Sequence, residues 1–297
     1  GQLGYQFGST AKTFAVVTAL EKGMPLDGEI NVPFADGKKG YVFDDKKLLT
    51  DKCGANKPWS VKNDYASGGK MMSLEEGLSK SINTWAAQLV IDVGPCDVHE
   101  TMTRMGLHSG DGQPIAPFIS NITLGSATTN PLSLANSYAT LAASGKYCEP
   151  YPITSITTPD RKEIKVPGPQ CEQVISADVA DGVTSLLKET LDSGTAKGLW
   201  DNRARQAAGK TGTTEGFNQG WFVGYTKQLS TAVWIGNLKP ADKNGKLYRY
   251  YVSQTVLKHG AGSCPVGRVP AGEIEAAVID QLRAVFRQPE IVAGTWK

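Results

Sequence analysis

The chain has no Cys-x-x-Cys pair, and its few histidines, His99, His108 and His259, lie far apart along 297 residues. That spacing argues against zinc, whose ligands come in close pairs of nitrogen or sulfur donors, and no metal or cofactor is expected. Long apolar runs are absent too. Nothing approaches the roughly 18 consecutive apolar residues of a membrane span, and no charged-then-apolar leader opens the sequence. Charge of one sign is also missing: 31 Lys and Arg against 29 Asp and Glu leave a net +2. There is no basic run to track a phosphate backbone, so nucleic acid is not an expected partner. Internal repeats and low-complexity linkers are lacking.

What remains is an ordinary globular composition, 40% hydrophobic and 20% charged, long enough to bury a large core in one big domain or two small ones. Cysteines stand at 53, 96, 148, 171 and 264. Well-separated cysteines in a domain of this size fit an oxidising compartment. Cys148 with Cys171 is the preferred pair because each flanks a strand-like, proline-rich connection; Cys53 with Cys96 is the second. The competing reading is a set of buried free thiols that behave as small apolar side chains.

Phe14, Val16, Val17 and Leu20 mark an apolar helix that starts near Ser9 and stops at Gly23 and Pro25. Residues 28–70 are rich in Gly, Lys, Asp and Asn, which predicts an irregular stretch with short strands. Ser73 and Glu76 have capping-box spacing ahead of Leu74 and Leu78, and a second apolar set, Trp85, Leu89 and Val93, follows Ser81-Ile82-Asn83. Helices are expected on both sides of that tripeptide. Asn130-Pro131 and Gly145 bracket another, and a further one covers 177–192. Residues 204–214, 219–226 and 229–237 read as an antiparallel meander. A closing run over 271–286 has helical spacing and should pack on that sheet. The pattern implies an α+β chain, helices around one antiparallel sheet.

The chemically informative segment is Gly8-Ser9-Thr10-Ala11-Lys12, because three-residue spacing on a helix puts the hydroxyl and the amine on one face. By itself this is weak, since a serine at a helix start is ordinarily an N-cap. Ser67 with Lys70 and Ser185 with Lys188 repeat the spacing, the first across two glycines that disfavour a helix and the second inside a plain amphipathic helix. Ser9 is set apart by its order with Ser81-Ile82-Asn83 and Lys210-Thr211-Gly212-Thr213. No histidine lies near any of the three motifs, so Lys12 is the base available to activate Ser9. Its ordinary pKa near 10.4 would have to fall about three units, roughly 4 kcal/mol, for it to be largely neutral at pH 7. Burial, a second cation at Lys210 and the positive end of the helix all push that way.

On these motifs the chain resembles the transpeptidase domain of penicillin-binding proteins, most of all the bifunctional class A peptidoglycan synthases. Further similar segments are Thr129-Asn130-Pro131-Leu132-Ser133-Leu134-Ala135, Ser193-Gly194-Thr195-Ala196 and Gly220-Trp221-Phe222-Val223-Gly224-Tyr225. The resemblance spans nearly all of residues 1–297 and implies a penicillin-binding/β-lactamase-like α+β fold, an antiparallel sheet flanked by helices with an all-helical subdomain over roughly 73–190. It also implies two N-terminal strands before the serine motif, and only residues 1–8 precede Ser9 here. Those strands and a membrane anchor are therefore expected outside the given residues, with the chain on the extracytoplasmic face of a bacterial plasma membrane; whether a glycosyltransferase domain also lies upstream is left open.

The resemblance further assigns roles. Ser9 is the nucleophile and Lys12 its base; Ser81 relays a proton among Lys12, Lys210 and the substrate; Asn83 bonds the peptide amide. Lys210, Thr211, Gly212 and Thr213 hold a terminal carboxylate at a strand edge, and the backbone amides of Ser9 and Thr213 form the oxyanion hole, each donor worth on the order of 3 kcal/mol in the transition state. The implied activity is D,D-transpeptidation of stem peptides ending in D-Ala-D-Ala, with β-lactams trapping Ser9. A class A β-lactamase would need a further carboxylate, and Glu149, Glu163 and Glu172 lack the Glu-x-x-Leu-Asn setting. A D,D-carboxypeptidase and a sensor that binds β-lactam or peptidoglycan without turnover remain open. The loop before Trp221 lacks an expected acidic residue.

Overall fold

A computed structural model describes residues 4–151, 155–164, 166, 168–201, 205–214, 219–236, 250–252 and 268–270. It divides into two units, Gly1–Gly236 and Asn237–Lys297. The first begins with strand β1 (Tyr5–Gln6), a 3-10 turn over Gly8–Ala11 and helix α1 (Lys12–Glu21). Strands β2 (Glu29–Val32) and β3 (Tyr41–Phe43), helix α2 (Lys46–Thr50), and strands β4 (Trp59–Val61) and β5 (Lys70–Ser73) fill the stretch expected to be irregular. Helices α3 (Leu74–Ser79), α4 (Asn83–Val93), α5 (Pro95–Arg104) and α6 (Ile119–Leu124) follow. After β6 (Thr128–Thr129) come α7 (Pro131–Ala142), short strands β7 (Lys146–Cys148), β8 (Ile156–Thr157), β9 (Glu163–Ile164) and β10 (Cys171–Gln173), then α8 (Ala177–Asp192). The meander β11 (Ala208–Thr213), β12 (Gln219–Tyr225) and β13 (Ser230–Gly236) closes the first unit, and β14 (Tyr250–Val252) pairs with β15 (Arg268–Pro270) in the second. The helix expected over 271–286 lies outside the described residues.

Helix α1 is apolar on almost every side, and such a helix belongs in the interior. All of Lys12 through Ala19 is buried, and α1 packs against α4, α5 and α8. One face of the meander is covered by α7 and α8, with the in-register antiparallel order β11-β12-β13. Gly77 of α3 lets Trp85 of α4 lie flat against the helix, because a Cβ there would come within 2.1 Å of the ring.

Two expectations need correction. The 73–190 stretch is not all-helical: β6 to β10 interrupt it, strands of two or three residues too short to carry an alternating pattern. The capping box at Ser73 is half formed. Ser73 Oγ accepts from Glu76 N at 3.1 Å, but the Glu76 carboxylate turns to Lys70 at 2.9 Å and Lys80 at 3.0 Å, where cations compete better than the backbone amide. Both disulfides form as paired from the sequence, Cys53–Cys96 and Cys148–Cys171, the latter joining β7 to β10. Asp51 lies beside the first, and its sulfurs, bonded to each other, are not available to a metal.

The Gly77 contact decides between two effects of opposite sign. Alanine gains about 1 kcal/mol of helix propensity over glycine, but overpacking a rigid ring typically costs 1–3 kcal/mol or more. Gly77→Ala is therefore expected to lower the melting temperature; a rise would contradict the packing of Trp85 on α3.

Candidate active site

The 3-10 turn holding Ser9 is wedged between two strands of backbone. Gly8 has φ +58°, and a Cβ there would lie 2.8 Å from Thr213 O; one on Gly125 would lie 2.2 Å from Gly8 O, and one on Gly212 2.7 Å from Phe7 O. Glycine at each of these contacts lets the turn, β11 and the end of α6 meet closely. Tyr138 of α7, fully buried, donates its hydroxyl to Thr10 O at 2.9 Å and shares a hydrogen bond with Thr13 Oγ1 at 2.7 Å. Trp221 Nε1 donates to Gln6 O at 2.7 Å. Ser9 is thereby fixed half-buried at the wall of a cleft of about 640 Å³, which Asn83, Asn63, Asp64 and Thr213 also line.

Ser81 occupies a special backbone position. Its N–H donates to Leu78 O at 3.1 Å and that of Ile82 to Gly77 O at 3.0 Å, the paired bonds of a Schellman motif ending α3. Ser81 takes the left-handed place in that motif, φ 58°, where glycine is usual. The turn aims its hydroxyl between two buried amines: Lys210 Nζ lies 2.9 Å and Lys12 Nζ 3.3 Å from Ser81 Oγ. Lys12 Nζ also donates to Ser81 O and Asn83 Oδ1, both at 2.6 Å. Here the contact differs from the one the helix spacing suggested. Lys12 and Ser9 share a face, yet the amine is bonded to the Ser81-Asn83 turn rather than to the Ser9 hydroxyl.

Burial drives both amines toward neutrality, since a cation taken out of water loses its hydration. Desolvation pulls Lys12 well below its ordinary 10.5, the Lys210 charge lowers it further, and the Asp64 carboxylate opposes them. Lys210 falls to about 7 through desolvation. The two decoy pairs are different: Ser185 is exposed on α8, and Ser67 and Lys70 flank glycines at φ +90° and +72° in a turn.

Several residues that hold this arrangement carried no sequence signal. The α4 N-cap, Ile82, has no side-chain oxygen; instead Asn63, from beyond β4, accepts from Asn83 N and Thr84 N, each at 3.0 Å. Its Nδ2 donates to Ala35 O, Ser67 O and Thr84 Oγ1. Asn83 Nδ2 returns a bond to Lys62 O at 2.8 Å. Thr211 Oγ1 meets Thr195 Oγ1 at 2.6 Å, which gives the Ser193-Gly194-Thr195-Ala196 segment a purpose beside β11.

Two outcomes follow. Ser81→Gly and Ser81→Ala both delete the shared hydroxyl, but glycine relieves a left-handed residue worth about 1 kcal/mol; Ser81→Gly is expected to melt higher than Ser81→Ala, while both acylate slowly with β-lactam. For Lys210 the sign is set by linkage: its folded pKa, about 7, lies below the unfolded 10.5, so between them the unfolded chain holds a proton the native chain lacks, and native stability climbs with pH. Lys210→Met is expected to melt above the parent near pH 6, by a margin that shrinks as pH rises from about 7 toward 10.5. A margin constant in pH would contradict the buried amine.

The family model of the penicillin-binding protein transpeptidase domain matches residues 2–259. Penicillin-binding protein 1A of Mycobacterium tuberculosis is 31% identical over 258 residues, 80% of this chain and 29% of that protein. The Aquifex aeolicus protein of the same name is 29% identical over 263 residues, 87% of this chain and 31% of its own length. The chain thus spans about three tenths of the length of these curated relatives. In structure it is similar to the penicillin-binding protein PonA1 of M. tuberculosis, with TM-score 0.64 and 28% identity over 80% of this chain and 61% of that one. PonA1 in complex with penicillin V gives TM-score 0.63 at 28% identity, covering 79% and 61%. With the three motifs gathered at one cleft and the family model covering most of its length, the chain belongs to the penicillin-binding protein transpeptidase domain family.

Proposed function

We propose that the chain is a serine D,D-transpeptidase that crosslinks peptidoglycan stem peptides ending in D-Ala-D-Ala. The observation that carries this reading is the pair of buried amines, Lys12 and Lys210, sharing Ser81 Oγ beside Ser9. Neutral Lys12 takes the Ser9 hydroxyl proton as Oγ attacks the carbonyl of the penultimate residue. The C–N bond breaks, and the departing D-alanine amine receives a proton through Ser81, with Lys210 as the second arm of the relay. Close approach of Gly8 to Thr213 supports the amides of Ser9 and Thr213 as the oxyanion hole. Thr211, Gly212 and Thr213 with Lys210 hold the terminal carboxylate, and Asn83 orients the peptide amide once substrate displaces its present partners. An amine acceptor then takes the acyl group and Ser9 is regenerated.

Localisation belongs to the same proposal. Two disulfides favour an oxidising, extracytoplasmic setting. No helix among the described residues is long and apolar enough to cross a membrane, and the class A resemblance favours an anchor in a segment outside the given residues. β-Lactams are the expected inhibitors, a reading favoured by the PonA1 complex with penicillin V.

Incubation with a penicillin followed by intact-mass measurement and peptide mapping is expected to find one adduct, on Ser9, that persists for hours and is absent from Ser9→Ala. Rapid release of hydrolysed drug would point to a hydrolase, and a folded parent without any adduct would overturn the nucleophile assignment.

A further inference from the structure

An acyl-enzyme on Ser9 leaves half of the transfer unassigned: what captures the amine that ends the reaction. A primary alkyl amine of the lysine type, pKa near 10.4, arrives in water as an ammonium ion. It must be held against the acyl carbon and lose a proton there. Among the described residues, the cleft beside Ser9 has two charged lining side chains, Lys62 and Asp64. Asp64 is the single acid among them. Its side chain is exposed and has neither a hydrogen bond nor an ion pair among the described residues.

The carboxylate is free, but its backbone is not. Asn63, next to it, is buried and bonded on both faces of its amide to α4, Ala35 and Ser67. Lys62, one residue before Asn63, accepts from Asn83 through its carbonyl. Gly37 packs on the Asp64 carbonyl, a Cβ there lying 3.3 Å from it. A rigid mount presenting an unpartnered carboxylate to a cleft is the arrangement that a cationic ligand needs, because little conformational entropy is lost on binding. Asp64 is also within electrostatic reach of one of the two amines: its charge is felt at Lys12, where Lys210 opposes it, and at the Tyr65 hydroxyl.

We propose that Asp64 is the acceptor-binding residue, its carboxylate capturing the ammonium of the incoming amine opposite the Ser9 acyl group. The inference rests on the acyl-enzyme reading above. In the transfer, the ammonium gives one proton to solvent; its nitrogen then bonds to the acyl carbon as the C–Oγ bond breaks, and a second amine proton passes by way of Lys12 to Ser9 Oγ. Asp64 takes no covalent part. Its effect is on which nucleophile wins, amine or water, and it favours cations alone.

The test uses the full chain with an ester donor peptide, comparing parent and Asp64→Asn for partition of the acyl group between water and two acceptors: Nα-acetyl-lysine, which is cationic, and hydroxylamine, which is neutral at the assay pH. Transfer to Nα-acetyl-lysine relative to hydrolysis is expected to fall about tenfold in Asp64→Asn, the equivalent of losing roughly 1.4 kcal/mol, with transfer to hydroxylamine relative to hydrolysis holding. Because Asp64 opposes the neutral form of Lys12, its loss is also expected to quicken β-lactam acylation on the acid side of the pH profile. Equal losses with both acceptors would overturn the proposal, as would a rise in the transfer-to-hydrolysis ratio, which would make Asp64 a base for water. Parent protein that transfers to hydroxylamine but not to Nα-acetyl-lysine would overturn it too. Absence of donor consumption by the parent would overturn this inference and the acyl-enzyme reading together, and so is distinguishable from failure of the acceptor site alone.

Discussion

Two lysine amines buried around one serine hydroxyl cannot both keep a full charge at low cost, because each has lost its water and each repels the other. The surrounding structure serves that conflict. Lys12 sits at the start of an almost wholly buried helix, Lys210 in the strand beside it, and Ser81 in a left-handed turn that aims one oxygen at both. Native stability is given up at this point, as the pH dependence of a lysine with a pKa near 7 implies. In return, an amine drawn toward its neutral form is buried three residues along the chain from a serine on the cleft wall.

Such a site has to be held from all sides, and the holding is done by groups far apart in sequence. Asn63 caps α4 from the hairpin, Tyr138 of α7 clamps Thr10, and Thr195 braces Thr211. Glycines at 8, 125 and 212 let three pieces of backbone approach more closely than any side chain would allow. The Cys53–Cys96 bridge closes a 43-residue separation that includes both β4 and the Ser81 turn, and in the chain-entropy view a loop of that size contributes about 3–4 kcal/mol. Fold and site are in this sense one network rather than a scaffold with residues added.

Much of this was legible in the sequence where a local physical signal existed. Asn130-Pro131 announced α7, a run of β-branched and aromatic residues announced the meander, and the connection between Cys148 and Cys171 pointed to their disulfide. The three motifs named the family. What stayed hidden was non-local. Nothing in Asn63 or Asp64 distinguishes them from loop residues until the segment after β4 folds onto the start of α4. Helical spacing suggested a contact of Lys12 with Ser9 and could not show that the Ser81-Asn83 turn takes up its amine. Strands of two or three residues such as β8 and β9 were invisible because so short a segment has no period.

Lys12, drawn toward neutrality by burial beside Lys210, is the proposed base for Ser9. The most direct test is the second-order rate constant for β-lactam acylation of the parent protein as a function of pH, whose rising limb reports the free enzyme's essential base. The account predicts a limb with its midpoint well below the ordinary lysine value of 10.5; a rate that climbs only as pH approaches 10.5 would contradict it.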